Sequence, residues 1–328
     1  MTTMRAALYR TTGPARDVLE VVEVERPEPG PGQVRVRISV SGINPTDVKN
    51  RAGLSARTID GFQVPHMDGS GIVDAVGEGV DAARAGQRVW LLLAADDNVY
   101  ATAAEYAVVP AHKAVPLPDG IPFDLAATLG VPAVTAADCL FRDGDITGKD
   151  VLVSGGAGGV GRAAVQLAKH GGARVVATVS TAEKAEIARA AGADLVVSYR
   201  DADVVDRIQA FSTGIDRVVE VSLGANAAID AAVVGRDAVV VSYATDGGDP
   251  TIPARSALLR STTFRYMLLY NLAAEPLAGA IARVDAALRD GALDLPPLQR
   301  FPLDRVAEAQ EAQEAGPVGR VLVDVADL

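Results

Sequence analysis

The chain has 328 residues, 49% of them hydrophobic and 22% charged, with one cysteine and a formal net charge of -11. Such a composition describes a globular protein long enough for two domains; its acidity and scattered basic residues argue against nucleic acid and membrane partners, and no apolar run reaches the roughly 18 residues needed to span a bilayer. The lone cysteine excludes an intrachain disulfide framework and a thiolate cluster, and the start MTTMRAALYR lacks a signal-peptide core, so a cytoplasmic location is expected.

Up to about residue 118 the chain reads as short strands at 4–9, 19–25, 33–40, 72–76, 87–93 and 105–109. Glycine and proline punctuate them, in RPEPGPG at 26–32 and GSGIVDAVGEGV at 69–80, which predicts an all-β unit. The stretch SGINPTDVKN at 41–50 follows the third strand, and its Asn44-Pro45 step predicts a turn. Cys139, in the apolar company of Ala137 and Leu140, reads as a buried thiol.

From residue 150 the rhythm becomes strand, helix, strand, helix: VLVS, GRAAVQLAKH, RVVATVS, AEKAEIARAA, DLVVSYR, VVDRIQAF, DRVVEVS, NAAIDAAVV and DAVVVSY. This alternation predicts a parallel, doubly wound sheet, and its nearly continuous apolar strands fit a sheet covered on both faces. A strand at 262–270 and a helix at about 276–288 follow, before the closing FPLDRVAEAQEAQEAGPVGRVLVDV.

Between the first strand and helix of that sheet lies Ser154-Gly-Gly-Ala-Gly-Gly-Val-Gly161, containing G-x-G-x-x-G as Gly156, Gly158 and Gly161. In this setting the pattern predicts a dinucleotide site: glycines allow a tight turn, close approach of backbone to a diphosphate, and close packing of helix on strand, while the free N–H groups of the helix start, at Gly159, Val160 and Gly161, favour an anion. An NAD-type site places a carboxylate about 20 residues further on, but this chain has Ala177-Thr178-Val179-Ser180 there. Ser180 is expected to open a capping box with Glu183, leaving Lys184 one turn into the helix and Tyr199 at the end of the third strand. Hydroxyl, ammonium and phenol suit a 2'-phosphate, so NADPH is the expected cofactor.

A β unit followed by this Rossmann unit, carrying GINPTD at 42–47, RAG at 51–53, GSGIVDAVGEGV at 69–80, GQRVW at 86–90, VLVSGGAGGVGRAAVQLAKHGGARV at 151–175 and GRVLV at 319–323, resembles the medium-chain dehydrogenase/reductases, and among them the zinc-independent, zeta-crystallin-like quinone oxidoreductases. The resemblance implies an α/β fold with a GroES-like β domain at 1–120, joined by a return at 271–328, and a Rossmann NADP(H)-binding domain at 121–270. It also implies a homodimer, which the β-prone STTFRYMLLY at 261–270 is expected to form by pairing with its symmetry mate. Zinc alcohol dehydrogenases of this superfamily have a ligand cysteine at the position of Asn44 and Gly-His-Glu at the position of His66-Met67-Asp68. No metal is therefore expected, and His66, His112 and His170 are read as surface or structural residues.

Without a Lewis acid, an isolated carbonyl loses its main stabilisation on reduction, whereas a quinone or enone spreads the developing charge over its own π system. The expected activity is NADPH-dependent reduction of a quinone or an α,β-unsaturated carbonyl compound. The resemblance puts Asn44 and Asp47 in the turn beneath the nicotinamide; Lys49, two residues beyond Asp47 where several quinone oxidoreductases have tyrosine, is expected to line the cleft and to stabilise or protonate the reduced acceptor. An enoyl-thioester reductase and a non-catalytic, crystallin-like NADPH-binding protein are the alternatives.

Overall fold

In the segment Gln33–Gly42, Val34, Val36, Ile38 and Val40 point to one side and are buried, as the two-residue period of a strand requires. The computed structural model, which describes residues 2–55, 58–245 and 248–328, builds its first unit around this strand. It pairs antiparallel with Asp68–Val76 along its length and with Tyr106–Pro110 along its first half. The sheet runs in the order Leu298–Pro302, Arg320–Asp324, Gln33–Gly42, Asp68–Val76, Arg88–Leu91, Ala114–Pro116. Its C-terminal strands place Leu322 opposite Gly42, so this unit comprises the chain up to Val131 together with Leu295–Leu328.

The expected turn at 41–50 is in fact a short helix, Pro45–Arg51. Proline suits its first turn, where the missing N–H has no partner to lose, and Asn44 enters it in an extended conformation. The turn chemistry of Asn-Pro thus acts as a helix start, fixed by Asp47, whose carboxylate accepts the Asn44 N–H at 2.7 Å.

The second unit, Pro132–Asp294, holds a parallel sheet in the order Leu195–Ser198, Arg174–Val179, Asp150–Ser154, Ile215–Glu220, Val234–Ser242, Thr263–Tyr266. Leu152, Val176, Val197, Ile208, Val218 and Val240 lie in one apolar cluster, which is why these strands read as continuous apolar runs. The strand expected at 262–270 stops at Tyr266, and Leu269–Asn271 is a single 3-10 turn. The helix Ala274–Arg289 packs within this unit, with the Arg283 guanidinium 4.7 Å from the centre of the Phe141 ring. That helix accounts for most of the distance between the return expected at 271 and the passage to the first unit at Leu295. Cys139 is fully buried. Among the described residues no helix is long and apolar enough to cross a membrane.

Candidate functional site

The connection from the strand Asp150–Ser154 to the helix Gly159–His170 is one in which backbone takes the room of side chains. A Cβ on Gly156 would stand 2.7 Å from the Cβ of Ala177, and one on Gly161 would stand 2.1 Å from the Gly155 carbonyl oxygen. Gly155 turns the chain out of the strand with φ +71°. No side chain caps the helix. The Arg162 N–H donates to the Gly158 carbonyl at 2.8 Å, and the N–H groups of Gly159, Val160 and Gly161 precede it without intrahelical acceptors. The N–H groups of Gly156 and Gly158 are spent on the Thr178 and Gly155 carbonyls, which shapes the turn, and those of Gly159, Val160 and Gly161 form a cradle of donors at the positive end of a helix dipole, which fits a diphosphate.

The neighbouring strand Arg174–Val179 brings the next group of residues to the same end of the sheet. The capping box expected from Ser180 and Glu183 is corrected by one residue: Thr181 is the N-cap, and its Oγ1 accepts the Lys184 N–H at 3.3 Å. The Tyr199 N–H donates to the Val179 carbonyl at 3.2 Å, which keeps the strand extended through Val179 and delays the helix to Ala182. Ser180 is thereby left outside the cap, Lys184 is half-buried in the first turn, and Tyr199 stands beside the strand end, with the Arg200 guanidinium 5.7 Å from its ring centre. From Ala177 to Ala182 there is no carboxylate to meet a ribose 2'-hydroxyl.

A cavity of about 220 Å³ opens at the carboxyl ends of Val234–Ser242 and Thr263–Tyr266, bounded by Leu223, Ser242, Tyr243, Tyr266, Met267 and Leu268. Burial raises the Tyr243 phenol well above its ordinary range, so it stays protonated. Of these residues, Tyr266, Met267 and Leu268 fall in the segment expected to pair across a dimer, and Leu223, Ser242 and Tyr243 were not expected at a site. The available signal was the change from the apolar run Ala238–Val241 to the hydroxyl-bearing pair Ser242-Tyr243 at a strand end.

In the first unit, Asn44 and Asp47 sit inside a buried polar network, at 1% and 2% exposure. The Asn44 amide nitrogen donates to Asp68 at 2.8 Å, and its oxygen accepts from Arg320 at 3.0 Å. Arg320 also reaches Asp68 at 3.4 Å, and the Val131 N–H donates to the other Asp68 oxygen at 2.7 Å. Asp47 accepts the Met67 N–H as well as that of Asn44. His66, fully buried and at φ +83°, has Nδ1 2.9 Å from Ser41 Oγ and Nε2 3.2 Å from the Gln310 amide nitrogen. Burial lowers it to about 3, so it is a neutral structural residue. Lys49, on the same short helix as Asp47, is exposed. Among the described residues no group of three or more His, Cys, Asp or Glu is placed to hold a metal ion.

This network makes stability depend on pH. Burial is the main cause that pushes Asp47 up to about 8, and burial against the opposing pull of Arg320 leaves Asp68 at about 6. Both lie above the ordinary aspartate value of about 3.9, so the folded state holds these protons more tightly than the unfolded chain. Their contribution is complete below about pH 4 and is lost as the pH rises through about 6 for Asp68 and about 8 for Asp47. Urea unfolding at a series of pH values should show Asp47→Asn losing less stability than the wild type between pH 5 and pH 8.5, by about 4 kcal/mol. Parallel pH curves for the two proteins would contradict the protonated form of Asp47.

Residues 30–119 match the alcohol dehydrogenase GroES-like domain, and residues 159–286 match the zinc-binding dehydrogenase family. The chain is 28% identical to the quinone oxidoreductase of Homo sapiens over 287 residues, 86% of each chain. It is 33% identical to the synaptic vesicle membrane protein VAT-1 homolog of Homo sapiens over 305 residues, 86% of this chain and 76% of that one. The solved structure of Escherichia coli quinone oxidoreductase complexed with NADPH is similar at a TM-score of 0.83 and 26% identity, covering 98% of this chain and 99% of that one.

Proposed function

The chain belongs to the medium-chain dehydrogenase/reductase family, on its quinone oxidoreductase branch, and from that premise we propose that it is an NADPH-dependent reductase of quinones or α,β-unsaturated carbonyl compounds that works without zinc. NADPH, when bound, supplies the hydride. The backbone N–H groups of Gly159, Val160 and Gly161 would hold its diphosphate, with Gly156 and Gly158 shaping the turn that lets it approach, and Ser180, Lys184 and Tyr199 would hold its 2'-phosphate.

The observation that carries the zinc-free reading is the buried triad of Asn44, Asp68 and Arg320. At the position where zinc relatives place a ligand cysteine, this chain has an amide already bonded at both ends, and the charge of its one acidic neighbour in the triad is met by a guanidinium. Neither Asn44 nor Met67 is a zinc donor of the usual Cys, His or carboxylate kind. The acceptor must then delocalise its own developing charge, which a conjugated carbonyl does. Asn44 and Asp47 act by fixing the start of the helix Pro45–Arg51, and exposed Lys49 is the group that offers a proton or hydrogen bond to the reduced acceptor.

The working unit is a homodimer with a small-molecule acceptor. Its support is the open edge of the parallel sheet: among the described residues Thr263–Tyr266 pairs only with Val234–Ser242, and Tyr266 and Leu268 are 64% and 50% exposed. Sedimentation as a stable monomer at micromolar concentration would contradict this pairing.

The functional test is steady-state reduction of one quinone and one enone by NADPH with wild type, Lys49→Met and Lys49→Arg, separating kcat from KM. Wild type should turn over at least one acceptor. Lys49→Met should lower kcat about ten-fold or more, with partial recovery in Lys49→Arg, since a hydrogen bond to developing charge is worth a few kcal/mol. An unchanged kcat in Lys49→Met would remove Lys49 from the chemistry, and NADPH binding without turnover of any conjugated acceptor would remove the reductase reading.

A further inference from the structure

The strand order of the parallel sheet reverses between Asp150–Ser154 and Ile215–Glu220. Ligands of doubly wound sheets bind above the strand ends at such a switch point, so side chains buried there shape the floor of the cofactor site. Glu220, the last residue of its strand, is fully buried. Its Oε2 accepts from the Ser154 hydroxyl at 2.5 Å, and its Oε1 accepts from the Asn226 amide at 2.9 Å and from the Ser222 N–H. Asn226 also reaches the Ser154 oxygen at 3.4 Å. Ser154 is 2% exposed and immediately precedes Gly155.

Asp230, one helical turn beyond Asn226, is 1% exposed and lies beside Glu220. Burial, then the charge of Glu220 beside it, raise the Asp230 carboxyl well above the usual carboxylate range. A buried carboxylate is an expensive way to join two strands and a helix, because apolar side chains of similar volume would pack there without desolvating a charge. Its geometry shows what the charge holds: the residue from which the glycine loop departs and the first turn of the helix Leu223–Val233.

We infer that Glu220 is a positioning residue for the cofactor: through Ser154 it fixes the point at which the glycine loop leaves its strand, so that the N–H groups of Gly159, Val160 and Gly161 are aimed before the diphosphate arrives. The inference rests on the reading that this loop binds NADPH. Gly155 is the reason such a tie is needed, since a glycine at φ +71° has many other conformations open to it and a binding loop that must be ordered on binding loses affinity. The diphosphate is common to NADPH and NADH, so Glu220 affects both cofactors alike, whereas a group that reads the 2'-phosphate separates them.

Fluorescence titration of wild type, Glu220→Gln, Ser154→Ala, Ser154→Thr and the double variant Ser154→Ala/Glu220→Gln with NADPH and with NADH tests this. Glu220→Gln and Ser154→Ala should each raise both Kd values about ten-fold, as expected for losing a hydrogen bond to a charged group, and leave the NADPH to NADH ratio unchanged within about two-fold. Ser154→Thr, which keeps the hydroxyl, should bind within about three-fold of wild type. The double variant should be no weaker than either single one, because both changes break the same link. At saturating NADPH, kcat should stay within about two-fold of wild type, which separates positioning from chemistry. Folded Glu220→Gln and Ser154→Ala proteins that both bind NADPH within two-fold of a binding wild type would overturn the inference while leaving the functional reading intact. If Glu220→Gln does not fold, Ser154→Ala decides alone. A wild type that binds neither cofactor would strike the functional reading itself.

Discussion

Gly161→Ala is expected to abolish NADPH binding, raising Kd by a hundred-fold or more. The added Cβ would lie 2.1 Å from the Gly155 carbonyl oxygen, 2.8 Å from its carbon and 3.0 Å from the Gly156 Cα. All three are backbone atoms, so no side chain can rotate away and the loop itself must move off the helix. The displacement separates the N–H groups of the helix start from the turn that completes the cradle, and donors misplaced by an ångström lose most of their grip on an anion. Circular dichroism should still show a folded protein, because the strand Asp150–Ser154 and the later turns of the helix keep their packing. Binding within three-fold of wild type would mean that this loop does not hold the cofactor.

Lys184→Ala is expected to erase most of the preference for NADPH over NADH. In the wild type the ammonium group meets a 2'-phosphate that NADH lacks, and a charge-assisted contact of this kind is worth about 1.5 to 3 kcal/mol, or roughly ten- to hundred-fold in affinity. Lys184 is half-buried in the first turn of a helix capped by Thr181, so its backbone is fixed before the ligand arrives. NADH affinity should change little. Equal affinity of the wild type for the two cofactors would contradict the assignment of Ser180, Lys184 and Tyr199.

The parallel sheet was legible because its strands are buried on both faces and its helices are amphipathic, so the change of period after residue 150 is local information. The glycine loop was legible for a similar reason: three glycines at fixed spacing between a strand and a helix have few other uses. Boundaries set by tertiary contacts were harder to read. Ser180 and Thr181 are both good caps, and the choice between them was made by the Tyr199 N–H, just past the end of the neighbouring strand. Asn44-Pro45 carries the signals of a turn and of a helix start alike, and Asp47 decided between them. The buried networks left the weakest trace. Arg320 joins Asn44 across 276 positions, and Ser154 joins Glu220 across 66, distances at which no local period exists. A carboxylate closing the strand Ile215–Glu220 directly after Val218-Val219 was the available hint of the second.

Reduction of a conjugated carbonyl by this protein should need no zinc. Its most direct test is NADPH oxidation by exhaustively chelated protein, followed by nicotinamide absorbance, with an α,β-unsaturated ketone and with its saturated counterpart. The unsaturated ketone is expected to be reduced at the rate of untreated protein, and the saturated one is not. Loss of activity on chelation with recovery on added zinc, or turnover of the saturated ketone as fast as the unsaturated one, would contradict this expectation.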